Sequence, residues 1–92
     1  DLISTGGTLQ RAAHACHAAG ARRIFAAAAH GLFTGPGLLL DPLFERILIT
    51  DSVPAFRLDP DLAARRLTVL DSTALLAAAL RPGSFSQWNS LI

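Results

Sequence analysis

The 92-residue chain is 51% hydrophobic and 16% charged, a composition that supports one small packed domain and argues against disorder. Its formal net charge is only +1, and its basic residues are scattered arginines, so nucleic acid is not expected as a partner. The longest apolar run is far shorter than the roughly 20 residues of a membrane span, so no membrane is expected either. A single cysteine allows no internal disulfide and favours the reducing cytoplasm.

The first eight residues, DLISTGGT, predict the end of a buried strand, a tight glycine turn and the first turn of a helix. The first amides of a helix have no acceptor within it and the helix dipole is positive there, so such a turn suits an anion, above all a phosphate. Gly6 and Gly7 allow a ligand close to the main chain, and Ser4, Thr5 and Thr8 offer hydroxyl donors. Taken alone, the pattern is equally typical of an ordinary turn before a helix.

A helix is predicted from Gly7 to a stop at Gly20, because small apolar residues recur at helical spacing. Cys16 is expected to be an inert thiol in the buried face of this helix. His14 and His17 are expected on its solvated side, and no third ligand at suitable spacing points to a metal site. The predicted buried face consists of Leu9, Ala12, Ala13, Cys16 and Ala19.

Three strands are predicted at residues 24–29, 46–50 and 67–70, where apolar runs lie between turn residues. A short helix is expected after residues 34–36, with core contacts from residues 38–40 and a further helical turn at 43–45. Residues 55–66 read as a surface connection with one helical turn at 61–64.

The end of the chain predicts a helix capped by Asp71 or Ser72 and ended by residues 81–83. Its expected core face consists of Leu75, Leu76, Ala79 and Leu80. A capping box is predicted from Ser84 to Gln87, followed by an aromatic face that packs on the domain and includes Phe85, Trp88 and Leu91.

The alternation of strands and helices predicts an α/β fold with a partial doubly wound parallel sheet, in three layers with helices on both faces. Ligands of such sheets bind beyond the carboxyl ends of the strands. Polar turns at residues 1–8, 30–31 and 50–52 are therefore expected at one edge. We expect His30 and Asp51 to stabilise turns there rather than to act in catalysis.

Residues 1–8 resemble the ribose-phosphate loop of type I phosphoribosyltransferase folds, in the form found in ribose-phosphate diphosphokinases (PRPP synthetases). Further segments resemble the same family and extend the resemblance over nearly the whole chain: AHGLFTGP at 29–36, ITDSVP at 49–54, the strand and helix at 67–77, and the tail at 84–91. The loop alone fits any phosphoribosyltransferase, and the later segments favour the synthetase.

The resemblance implies that Ser4, Thr5, Gly6, Gly7 and Thr8 hold the 5-phosphate of ribose 5-phosphate, with Asp1 near the ribose hydroxyls. Intact family members transfer diphosphate from Mg-ATP to ribose 5-phosphate, giving PRPP and AMP, and commonly form homo-oligomers. Their catalytic lysine, ATP site and Mg²⁺ ligands belong to upstream segments, and this chain contains no lysine. Residues 1–92 are therefore expected to be the C-terminal portion of one phosphoribosyltransferase-like domain whose N-terminal part is missing, inactive alone.

Three alternatives remain open at this point. A phosphoribosyltransferase would use the same loop to consume PRPP. A synthetase-like regulatory subunit would keep the fold without catalysis, and a decayed fragment would have little function.

Overall fold

The computed structural model describes residues 2–83, so Asp1 and the predicted capping box and aromatic face of residues 84–92 lie outside the described residues. Strands and helices alternate through most of this part of the chain. In chain order the elements are β1 (Leu2–Ile3), α1 (Gly7–Ala18), β2 (Ile24–Ala28), β3 (His30–Gly31), α2 (Gly37–Leu40), β4 (Phe44–Thr50), α3 (Pro60–Arg66), β5 (Leu67–Leu70) and α4 (Thr73–Leu80).

Every strand pairing in the described part of the chain is parallel, which confirms the predicted α/β class. The central strand β4 lies between β2 and β5, and β1 pairs with β3. Only Ala29 separates β2 from β3, so one extended segment changes its neighbour from β4 to β1 along its length. The two small sheets are therefore joined through a shared stretch of chain.

The core lies on one face of the sheet. Ala26 on β2 is opposite Ile47 on β4, which is opposite Leu67 on β5, and all three side chains are buried. Helices α1, α2 and α3 pack against this face, with Leu38 and Leu39 of α2 fully buried. Side chains alternate along a strand, so Phe25 and Leu70 point to the other face. They are 52% and 50% exposed.

The predicted core face of α4 is wrong. Leu75, Leu76 and Leu80 are exposed, the last by 84%, and α4 makes no extensive contact with another element of residues 2–83. Alanine and leucine have the highest helix propensities, so the local sequence favours a helix here although its leucines are exposed.

The prediction of a buried Cys16 is also wrong, because its side chain is exposed. Of the predicted face of α1, only Ala13 is fully buried and Leu9 is partly buried. Every residue from His14 to Gly20 is exposed, since the second half of the helix projects past the core. The predicted stop is confirmed, with Gly20 at a φ of 105°.

Two further expectations differ from the structure. The helical turn at 43–45 is wrong, because Phe44 begins β4 and pairs with Ile24. The turn at 61–64 is part of a longer helix, α3, where Asp59 Oδ2 accepts a hydrogen bond from the Leu62 amide at 3.2 Å. Pro60 fits the first position of this helix, where no amide donor is needed.

Replacement of Leu39 by alanine should cost about 2–5 kcal/mol of unfolding free energy, because it leaves a cavity in the core. The matched control is Leu80→Ala, also in a helix, which should cost less than about 0.5 kcal/mol. Equilibrium urea unfolding measures both. Equal costs would contradict the placement of α2 in the core and of Leu80 in solvent.

Candidate functional site

The turn between β1 and α1 requires glycine at its last position. Gly6 precedes α1 with φ 85° and ψ 3°, a left-handed conformation that costs other residues about 1–2 kcal/mol. A Cβ added to Gly6 would lie 2.6 Å from Cβ of Leu38, so no side chain fits between the turn and α2. Backbone conformation and crowding therefore both select glycine.

The described residues of the predicted site come together around one cavity. It has a volume of about 140 Å³, several times the roughly 30 Å³ of a water molecule, and is lined by residues 2–9. Ser4, Thr5 and Thr8 are exposed there, and Gly6 and Gly7 form the backbone between them. The remaining predicted residue, Asp1, lies outside the described residues.

The donors of this cavity are those of a helix N-terminus. The Gly7 amide donates to Oγ1 of Thr5 at 3.3 Å. The helical hydrogen bonds begin with the Gln10 amide, which donates to the Gly6 carbonyl at 2.9 Å. The amides of Thr8 and Leu9 have no acceptor within the helix. Arg11 adds a positive charge, since its Nη2 lies 3.3 Å from Oγ1 of Thr8. With no acid in the first turn of α1, the positive end of the helix dipole is not neutralised there.

The predicted meeting of polar turns at the carboxyl edge is confirmed by hydrogen bonds. The amides of Leu32 and Thr34 donate to the carbonyls of Ile3 and Ser4, at 2.8 and 3.0 Å. The segment after β3 therefore lies against the start of the cavity. One strand further along, His30 Nδ1 lies 2.7 Å from Oγ of Ser52.

His30 and Asp51 make the turn contacts expected of them. His30 joins the end of β2 and β3 to the turn after β4 through Ser52. Oδ1 of Asp51 accepts from the amide and the hydroxyl of Ser72, and so joins that turn to the start of α4.

A buried carboxylate that contacts α1 was not found from the sequence. The Asp41 side chain is 6% exposed, and Oδ1 accepts from the Leu43 amide at 3.0 Å. Oδ2 accepts from Nε2 of Gln10 at 3.2 Å and lies 3.3 Å from Nε2 of His14. His14, expected to be only a solvated residue, therefore also contacts the residue that follows α2. The Asp-Pro dipeptide, typical of a side chain that caps the amide two residues on, is the signal that could have indicated Asp41.

The pKa of Asp41 is lowered from its ordinary value of 3.8, chiefly by the hydrogen bond from the Leu43 amide. Burial acts in the opposite direction, and the contacts with Gln10 and His14 lower the pKa further. The charged form is therefore the one that the fold stabilises.

Between residues 2 and 83, no three or more His, Cys, Asp or Glu side chains group together so as to hold a metal ion. The donor set near the cavity, made of amides, hydroxyls and an arginine, suits an anion rather than a cation. No described helix is long and apolar enough to cross a membrane.

No protein-family model matches the chain, but individual proteins and a solved structure are similar to it. Over 88% of its length it is similar to the ribose-phosphate pyrophosphokinases of Haemophilus ducreyi, with 40% identity over 83 residues, and Shewanella oneidensis, with 39% over 84 residues. The crystal structure of phosphoribosylpyrophosphate synthetase from Mycobacterium smegmatis matches with a TM-score of 0.72 and 32% identity over 84% of this chain. The chain is similar, in sequence and in fold, to one part of the ribose-phosphate pyrophosphokinases.

The family resemblance stated from the sequence motifs is thereby confirmed. The chain spans about a quarter (26%) of the length of these ribose-phosphate pyrophosphokinases and of the M. smegmatis structure. The fold described above is therefore shared with one part of such an enzyme.

Replacement of Gly6 by alanine should destabilise the chain more than the same replacement at Gly20. Both glycines have positive φ, but a Cβ at Gly20 has nothing within 4 Å, whereas one at Gly6 collides with Leu38. Gly20→Ala thus measures backbone strain alone, about 1–2 kcal/mol, and the excess at Gly6 measures crowding. Thermal unfolding of both variants tests this, and equal losses would contradict the close packing of the turn on α2.

Acid should remove the stability that Asp41 contributes. Since its pKa is lower in the folded chain than in the unfolded one, its contribution is complete above the unfolded value and is lost as pH falls through the folded value. The difference in unfolding free energy between the wild type and Asp41→Asn should therefore be constant near neutral pH and shrink below about pH 4. Urea unfolding at several pH values measures it. A difference that persists unchanged at pH 2 would contradict a stabilised carboxylate.

Proposed function

We propose that Ser4, Thr5, Gly6, Gly7 and Thr8 bind the 5-phosphate of ribose 5-phosphate within a ribose-phosphate pyrophosphokinase. The observation that supports this is a glycine turn whose helix amides and hydroxyls line a single open cavity at the carboxyl edge of a parallel sheet. By the family resemblance, Asp1 would lie beside the ribose hydroxyls.

The chemistry of the turn suits a phosphate monoester. Amide N–H groups at a helix N-terminus and hydroxyl groups can each donate to phosphate oxygens. Gly6 and Gly7 carry no Cβ, so the ligand can approach the main chain closely. Arg11 lies one helical turn past the cavity, where its charge favours a dianion.

In the proposed reaction of the whole enzyme, the 1-hydroxyl oxygen of ribose 5-phosphate forms a bond to the β-phosphorus of ATP. The bond between that phosphorus and the oxygen bridging to the α-phosphate breaks, AMP leaves, and the hydroxyl proton is released to water. The part played by the present chain is to hold the 5-phosphate, so that the sugar is oriented before the transfer. Mg²⁺ would neutralise charge on the ATP phosphates, and residues 2–83 do not supply a ligand set for it.

We propose further that residues 1–92 form the C-terminal portion of a phosphoribosyltransferase-like domain. The ATP site and the Mg²⁺ ligands would then lie in other parts of the longer enzyme. That enzyme would form a homo-oligomer and act in the cytoplasm. The matched proteins are named as pyrophosphokinases and as a synthetase, which favours this reaction over that of a phosphoribosyltransferase.

Titration of the ¹⁵N-labelled chain with ribose 5-phosphate should shift the amide signals of residues 6–9, and inorganic phosphate should shift the same signals. Ribose without phosphate should not. Thr8→Val removes one hydroxyl donor to a charged ligand and should weaken binding about 10-fold or more.

The matched control is Thr73→Val, at the start of α4, which should bind as the wild type does. A folded wild-type chain whose amides of residues 6–9 do not respond to millimolar ribose 5-phosphate would refute the proposed site. Equal weakening by both variants would refute the assigned role of Thr8.

A further inference from the structure

The phosphate loop is held from behind by a polar contact between α1 and α2. We propose that Gln10 is a positioning residue that acts through Asp41 and α2 to hold the loop in its binding conformation. This inference rests on the proposed function, because it assigns a support to the same phosphate site.

Gln10 connects the loop to both ends of α2. Its backbone amide donates to the carbonyl of Gly6, in the turn itself, at 2.9 Å. Its side-chain Nε2 lies 3.2 Å from Oδ2 of Asp41, just after α2, and 3.4 Å from the carbonyl of Gly37, the first residue of α2. One residue therefore joins the turn to the helix beneath it.

The helix that Gln10 contacts, α2, is also the helix against which the turn packs. Leu38 of α2 is fully buried, and its Cβ lies so close to Gly6 that no side chain fits between them. Any displacement of α2 away from α1 would leave the buried Gly6 without its packing partner. The distance between the two helices thus sets the position of the loop backbone.

α2 is held in place from the opposite side by Arg66 of α3. Its guanidinium donates to the carbonyls of Leu39 at 3.0 Å and Asp41 at 2.8 Å, and also to that of Phe44. The Gln10 contact therefore joins the start of α1 to a helix that is also hydrogen-bonded to α3.

Asp41, the partner of Gln10, requires hydrogen-bond donors because it is buried. A carboxylate as buried as Asp41 loses solvation, and each missing hydrogen bond is costly. Three groups face it: the Leu43 amide, the Gln10 side-chain amide and the exposed His14 ring. Gln10 belongs to the first turn of α1 but does not line the cavity, so its effect on a bound phosphate is exerted through the loop.

The test compares Gln10→Leu with His17→Leu, an exposed site about two turns further along the same helix. Neither variant gains a charge, and only the first loses the contacts with Asp41 and Gly37. Inorganic phosphate should bind Gln10→Leu roughly 3- to 10-fold more weakly, the value of about one net hydrogen bond. His17→Leu should bind inorganic phosphate as tightly as the wild type does. In the free protein, the amide signals of residues 6–8 should shift in Gln10→Leu and not in the control.

A second measurement needs no variant. Coupling between two sites is reciprocal, so phosphate bound at the loop should shift the wild-type amide signal of Leu43, which reports on Asp41 through its 3.0 Å hydrogen bond. This measurement tests the positioning role of Gln10 even if Gln10→Leu does not fold.

The outcomes separate the two proposals. A wild-type chain that binds no phosphate refutes the proposed function, while the free-protein signals of residues 6–8 still test the positioning role. Phosphate binding that is equal in the wild type and in Gln10→Leu, with unchanged signals at residues 6–8, refutes the positioning role alone. So does a Leu43 signal that stays constant at phosphate saturation.

Discussion

The contact between Gly6 and Leu38 is the constraint on which the rest of the site depends. It brings the turn after β1 onto the buried side of α2, and it allows only a residue without a side chain at that point. The first amides of α1 then open on the cavity instead of being covered. A requirement of packing and a requirement of ligand approach are thus met by the same residue. The glycine that suits a phosphate is also needed for the fold.

Polar groups in the interior hold α2, which is only four residues long and could not be stable alone. Asp41 accepts a hydrogen bond from Gln10 of α1, and Arg66 of α3 donates to the carbonyl of Leu39. Hydrogen bonds with one charged partner are about twice as strong as neutral ones, so these two residues stabilise a short helix that propensity would not. The turn between β1 and α1 therefore packs on a helix that is itself held by long-range contacts.

The sequence predicted the parts of the fold that follow from local patterns. The apolar runs at 24–29 and 67–70 contain strands, and the residues of the glycine turn do line one cavity. Helical spacing, however, states only which residues share a face, not whether anything lies opposite, so the exposure of Cys16 and Leu76 was missed. The Asp41 contacts with α1 were missed for a similar reason, since they join residues 27 and 31 positions apart.

One face of the sheet bears half-exposed Phe25 and Leu70, whereas strands of parallel sheets are usually buried on both sides. This has a thermodynamic consequence. The heat capacity of a protein rises on unfolding because apolar surface enters water, typically by about 12–15 cal/mol/K per residue. Apolar surface that is already exposed to solvent in the folded chain adds nothing to this increase in heat capacity. The free energy of unfolding of this chain should therefore vary with temperature along a flatter curve than its length alone implies.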